Sequence, residues 1–262
     1  MAILEPVESA EGTEGRRRFR ARSPATLDPI GEFDCATAED VARAVARARI
    51  AQQAWGERPV EERAGLLWKL LDVYVARQDE VVEAVLRETG KARAEAVSME
   101  VFAPCDAIGF YAKRAPRFLR TEKRRIHGLM GLAKKLRIVY RPLGVVGLIT
   151  PWNGPMALSV NPAVQALVAG NAVVHKPSEV TPFSALVFAD FVRQAGFPED
   201  LYQVVQGDGE TGAALVDAGV DKLSFTGSVA TGRRVAVRCA EQLVPFTLEL
   251  GGKDAMIVCA DA

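Results

Sequence analysis

Four short stretches put groups that can do chemistry at the ends of apolar runs. Ile149-Thr150-Pro151-Trp152-Asn153-Gly154-Pro155 follows the apolar segment Leu143 to Ile149. Asn153 there could aim an amide N–H at a developing oxyanion; a plain turn with a packed Trp is the alternative. Lys176-Pro177-Ser178-Glu179 follows a second apolar run, where Lys and Glu could grip ribose hydroxyls or form a surface ion pair. Phe225-Thr226-Gly227-Ser228 ends a third run and opens a helix, so free N–H groups and a positive helix end would face an anion. Ser228 could contact that anion or simply cap the helix. Glu249-Leu250-Gly251-Gly252-Lys253 ends a fourth run. A partly desolvated Glu249 could act as general base on water, or it could be a structural carboxylate paired with Lys253.

A fifth stretch, Gly207-Asp208-Gly209-Glu210-Thr211-Gly212, matches the dinucleotide fingerprint G-x-G-x-x-G. The fingerprint wants an acid about twenty residues later, and the region of Gly232 offers none. It also falls late among the strands, not at the first of them.

The elements that must position these residues alternate. Strands are expected at 145–150, 172–176, 202–206, 221–225, 244–249 and 254–259, with helices near 156–169, 182–194, 210–218 and 228–240. This rhythm predicts an α/β fold, a Rossmann-like, doubly wound parallel sheet. Thr181-Pro182 has the pattern of a helix start. Before it comes a helical region. Thr37 and Asp40 have capping-box spacing, and Val41, Val45, Ala48 and Trp55 recur at helical spacing. Further helices are expected from Glu61, from Asp79 to Thr89 with Gly90 as the C-terminal glycine, and from Ala92 to about Leu119. Eleven Lys or Arg and one acid, Glu122, lie between Lys113 and Arg141, without the interleaved aromatics of a single-strand binder. A hairpin turning at Gly128 and Gly131 and returning over Leu136 to Tyr140 is expected there. The divisions are an arm (1–34), a helical layer (35–120), the hairpin (121–142), the sheet domain (143–250) and the start of a further domain (251–262).

Thirty-three basic residues balance thirty-three acidic ones, which argues against nucleic acid or membrane as partner. Four dispersed cysteines without metal-ligand spacing suit reduced thiols, and two histidines are too few for a multi-His site. Acidic Glu5, Glu8, Glu11 and Glu14 do not suit a transit peptide, so a cytoplasmic protein is expected.

Pro-Trp-Asn-x-Pro, Lys-Pro-Ser-Glu, Phe-Thr-Gly-Ser and Glu-Leu-Gly-Gly-Lys, in this order, resemble the aldehyde dehydrogenase superfamily. Ser23-Pro24-Ala25-Thr26 and Glu88-Thr89-Gly90-Lys91 are similar to family features, and the resemblance runs from about Ser23 to the end. It implies oxidation of an aldehyde to a carboxylate with NAD, or NADP, through a cysteine thiohemiacetal and thioester. Asn153 would stabilise the oxyanion, and Glu249 would activate the hydrolytic water. Lys176 and Glu179 would hold the adenosine ribose, with Ser178 also in the cofactor site and Glu179 favouring NAD. Gly227 and Ser228 would face the pyrophosphate, and Gly209 the adenine. Ile149, Thr150, Pro151, Trp152, Phe225, Thr226, Leu250 and Gly251 would complete the cofactor walls. The resemblance also implies a homo-oligomer whose oligomerisation element is the 121–142 hairpin, and a semialdehyde-specific or acylating dehydrogenase is a related possibility.

Gly154 departs from the family, which has a bulkier residue there. The family's nucleophilic cysteine follows well after Glu-Leu-Gly-Gly-Lys, whereas Cys259 falls in the expected strand 255–259 and reads as core. Cys35, Cys105 and Cys239 match no nucleophile motif. The chain is therefore expected to correspond to the first half of such an enzyme, truncated before most of the catalytic domain. The alternative function is a catalytically inactive cofactor-binding fragment or pseudoenzyme.

Overall fold

The computed structural model describes residues 4–7 and 16–261, so Glu8, Glu11 and Glu14 lie outside the described residues. A five-stranded parallel sheet forms the centre: β6 (Val145–Ile149), β7 (Ala172–Lys176), β8 (Tyr202–Val204), β9 (Lys222–Gly227) and β10 (Phe246–Leu250). β6 and β7 are buried along their whole length, as strands covered on both faces must be, and this is why they read as unbroken apolar runs. Helices α7 (Ala157–Val168), α8 (Pro182–Gln194), α9 (Gly209–Asp217) and α10 (Val229–Glu241) make the crossovers. The strand order is β10-β9-β6-β7-β8, so the chain winds outward from β6 through β8, then returns to the other side of β6 for β9. The strand order thus reverses between β6 and β9, where open sheets of this kind bind ligands at their carboxyl ends.

The helical region comprises α1 (Ala38–Glu57), α2 (Val60–Ala76) and α3 (Gln78–Thr89), then α4 (Arg93–Ala96), a π-helical stretch (Val97–Phe102) and α5 (Ala103–Phe118). The capping box at Thr37 and Asp40 is present, and Gly90 ends α3 at φ +69°. The single helix expected over 92–119 is interrupted by the π-helical turn, which no propensity signal announces. α1 packs on the sheet beside α9, while α2, α3 and α5 cover α7 and α8. Buried Trp55 meets Phe197 with ring centroids 5.4 Å apart, tying α1 to the loop after α8.

Within the arm expected over 1–34, β1 (Leu4–Val7), β2 (Arg18–Arg22) and β3 (Pro29–Asp34) form an antiparallel sheet. Ala21 and Phe33 are buried, and the arginines between the apolar positions pair with acids on β3, Arg18 with Asp34 and Arg20 with Glu32. The strand expected at 254–259 is absent. Beyond β10 the described residues are exposed and irregular, because nothing among the described residues pairs with them. Cys259, expected in the core, is exposed for the same reason. β8 ends at Val204, two residues earlier than expected.

The hairpin forms from β4 (Glu122–Arg124) and β5 (Leu136–Ile138), with a one-turn helix α6 (Met130–Ala133) between them. Gly128 takes φ +72°, the left-handed conformation the turn requires. Leu129 and Leu132 at its tip are 85% and 87% exposed. No helix is long and apolar enough to cross a membrane among the described residues.

Candidate functional site

A cleft of about 840 Å³ opens at the carboxyl ends of β6, β7 and β9, within the range of roughly 300–1,000 Å³ typical of small-molecule sites. β6 and the following loop contribute Ile149, Thr150, Pro151 and Trp152; the β7 loop contributes Lys176, Ser178 and Glu179. Phe225, Thr226, Gly227 and Ser228 come from the β9–α10 junction, and Gly209 from α9. The fold thus gathers three motifs that lie far apart in sequence.

Two helix N-termini meet at this cleft, and their charges differ. α9 is capped by Asp208, whose Oδ1 accepts from the Glu210 N–H at 3.0 Å. Arg17, just before β2, donates to Asp208 at 2.6 Å and lies 2.8 Å from Glu210. The glycine fingerprint is therefore a locked loop carrying two carboxylates. Gly207, at φ +153°, is packed so tightly that a Cβ there would lie 2.0 Å from the Thr211 hydroxyl oxygen. α10 has no acid in its first turn, and Ser228 caps it by accepting from the Thr231 N–H at 3.2 Å. A dianionic phosphate group would be repelled at α9 and attracted at α10.

Lys176 is only 4% exposed, and its ammonium donates to Glu179 Oε2 at 3.0 Å. One partner leaves further N–H donors of that buried ammonium for a ligand. Beneath it runs a buried polar relay. The Tyr202 hydroxyl lies 2.7 Å from His175 Nδ1, and His175 Nε2 lies 2.8 Å from the Thr150 hydroxyl. Burial, reinforced by the Lys176 charge, pushes the His175 pKa down to about 3, so the ring is neutral and works as a hydrogen-bonding spacer.

The loops are braced from the helical layer. α8 starts where Thr181-Pro182 was expected to start it, with Thr181 at the cap position and Pro182 first in the helix, but the Thr181 side chain makes no capping bond. Glu88 does that work from α3: its carboxylate accepts from the Ser184 N–H at 3.0 Å, and from the Phe183 N–H and the Ser184 hydroxyl. Burial raises the Glu88 pKa to about 7. The folded state then binds a proton that the unfolded state has lost above the ordinary carboxylate range, so this group lowers stability as pH rises from about 4.5 to 7. Glu88→Gln, which stays neutral, is expected to flatten that part of the melting-temperature profile. A profile in the variant as steep as in the parent would refute the assignment.

Four expected site residues do not line the cleft: Asn153, Glu249, Leu250 and Gly251. Asn153 is exposed on the loop before α7. Glu249 sits in register beside Thr226, at the cleft rim, but it is exposed instead of partly desolvated. β10 is the sheet edge, and among the described residues nothing covers its outer side. No Glu249–Lys253 ion pair forms among the described residues. Leu250 instead packs on α10, where a Cβ at Gly232 would lie 2.5 Å from its Cδ2, and the Gly251 N–H donates to the Gly227 carbonyl at 3.3 Å. Conversely, Thr231, Arg234, Val235 and Arg238 of α10 line the cleft without having been expected. Their i, i+3, i+4, i+7 spacing marks one helix face and could have found them. No cysteine lines the cleft among the described residues: Cys35 and Cys239 are buried, and Cys105 is partly buried in α5.

Comparison with known proteins places this geometry. The family model described as "Aldehyde dehydrogenase family" matches residues 10–262. A Mycolicibacterium smegmatis protein bearing the name of an NADP+ succinate-semialdehyde dehydrogenase is 40% identical over 262 residues, which are 100% of this chain and 49% of that protein. A Methylomonas protein named 4,4'-diapolycopene aldehyde oxidase is 41% identical over 92% of this chain and 46% of its own length. The crystal structure of Mycobacterium tuberculosis aldehyde dehydrogenase complexed with NAD+ superposes with a TM-score of 0.86 at 36% identity, covering 94% of this chain and 50% of that one. The chain spans about half the length of the curated relatives it matches. A sheet that reverses between β6 and β9, a cleft at that point and a family match over nearly all residues agree: the chain belongs to the aldehyde dehydrogenase family.

Proposed function

We propose that this chain forms the NAD(P)-binding part of an enzyme that oxidises an aldehyde to its carboxylate. The observation that carries the reading is the pairing, in one cleft, of the acid-free N-terminus of α10 with the buried ammonium of Lys176. These residues fit a dinucleotide: the helix end suits a pyrophosphate, and Lys176 with Glu179 suits the hydroxyls of a ribose. Ser178 shapes that ribose pocket, and Gly209 faces the adenine. Ile149, Thr150, Pro151, Trp152, Phe225 and Thr226 form the walls, and Leu250 and Gly251 continue them towards the reacting end. When bound, the cofactor supplies a hydride acceptor.

Asn153 serves as the side-chain donor to an oxyanion, and Glu249 takes a proton from the hydrolytic water. Both stand at the rim beyond the cofactor cleft, where a substrate would approach. The carboxylate of Glu179 gives NAD the advantage over NADP by occupying the side of the ribose that a 2′-phosphate needs. With no cysteine against the cleft, the 262 residues by themselves bind cofactor without turning over aldehyde. The exposed leucines of the hairpin serve self-association, and the four free thiols suit a cytoplasmic setting.

Titration of the purified chain with NADH, followed by nicotinamide fluorescence, is expected to saturate, while aldehyde and NAD+ yield no NADH. Absence of saturable binding would defeat the reading. Aldehyde-dependent NADH formation would overturn its second half.

A further inference from the structure

We propose that Glu100, held by Lys91, is a positioning residue for the Pro151–Gly154 loop and acts on it through the N-terminus of α7. The inference rests on the reading of that loop as part of the site.

Glu100 is fully buried, at 0% exposure, within the π-helical stretch of the helical layer. One carboxylate oxygen accepts from the Met156 N–H at 2.9 Å and the Ala157 N–H at 3.0 Å, the first free amides of α7. The other accepts from the Lys91 ammonium, which is itself largely buried. The Tyr74 hydroxyl donates to the Glu100 main-chain oxygen at 2.6 Å, fixing the π-helical turn that carries the carboxylate. π-turns inside α-helices are uncommon and frequently serve a site.

The far end of α7 is held as firmly. The Trp55 indole N–H donates to the Leu167 carbonyl at 2.8 Å, and buried Arg63 donates to the Val168 carbonyl at 2.9 Å. α7 is therefore a rod fixed at both ends by the helical layer. The loop that carries Trp152 and Asn153 hangs between that rod and Thr150, which the His175 relay holds. The loop also lies against the carboxylate: a Cβ at Gly154 would be 3.8 Å from Glu100 Oε1. A buried ion pair gives little net stability over apolar packing of the same volume, because desolvating both charges offsets their attraction. A two-amide clamp on the loop's exit is what this pair does provide.

Trp152 gives a readout that needs no turnover. Trp68 is replaced by Phe to remove the other exposed indole, leaving buried Trp55 and cleft-lining Trp152. In that background Glu100→Ala is expected to make Trp152 more accessible to acrylamide and to weaken NADH binding by about tenfold. The double variant Lys91→Met, Glu100→Gln keeps a neutral oxygen for the two amides and is expected to restore both readouts to within about threefold. If Glu100→Ala does not fold, Glu100→Asp replaces it: one methylene shorter, it keeps the charge but falls short of the two amides, and the same changes are expected. Unchanged quenching and affinity, or a double variant no better than Glu100→Ala, would overturn the proposal. If the parent chain fails to bind NADH, the cofactor reading falls. The quenching comparison, which uses no nucleotide, then decides the positioning role alone.

Discussion

Lys176→Met is expected to weaken NADH binding by about 10- to 100-fold while the melting temperature stays within a few degrees of the parent. The substitution keeps the carbon stem, which passes 3.9 Å from the position a Cβ would take on Gly212, and removes only the charge. What is lost is the charge of a lysine that is 4% exposed yet has Glu179 as its single partner among the described residues. Glu179 is left about one-third exposed, so water can solvate it and the folding cost is small. Were Lys176 instead a structural partner of Glu179, the variant would melt earlier and bind nucleotide normally. Isothermal titration with NADH beside a thermal melt separates the two.

The second large effect is expected at Glu179, where Glu179→Gln should shift preference towards NADPH by at least about tenfold. The parent cleft sets a carboxylate beside the ammonium, and a 2′-phosphate entering there would meet like charge and compete for Lys176. The amide removes the repulsion and frees the ammonium for the phosphate. NADH should lose affinity only a few-fold, since the amide oxygen still accepts a ribose hydroxyl. Competitive titration of the two reduced nucleotides checks this. An unchanged ratio would show that Glu179 plays no part in the discrimination.

What could be read from the sequence was local. β6 and β7 were legible because strands buried on both faces are continuous apolar runs, and α1 because Thr37 and Asp40 lie within one turn of each other. The cleft walls were legible because each motif sits where a strand ends and a helix begins. Non-local facts were not. The start of α8 was legible in Thr181-Pro182, but the side chain that accepts from its first amides is Glu88, 95 positions before Phe183 in the chain. Glu100 reaches Met156 across 56 positions, and only the tertiary fold brings them together. The strands within the 1–34 arm were not placed because their arginines, counted as charge, hid the alternation in which Phe19 packs on Phe33 with ring centroids 5.9 Å apart. The stretch 254–259 shows the reverse error: β propensity makes no strand where no neighbouring strand pairs.

Hydrogen exchange of the purified chain with and without NADH tests the central claim most directly. If the cofactor lies at the reversal point of the sheet with its pyrophosphate at α10, the amides of Thr226–Thr231 gain the most protection, together with those around Thr150 and Ser178. The fingerprint loop, Gly207–Gly212, gains less. Protection concentrated at Gly207–Gly212, or none in the β9–α10 junction, would contradict the account.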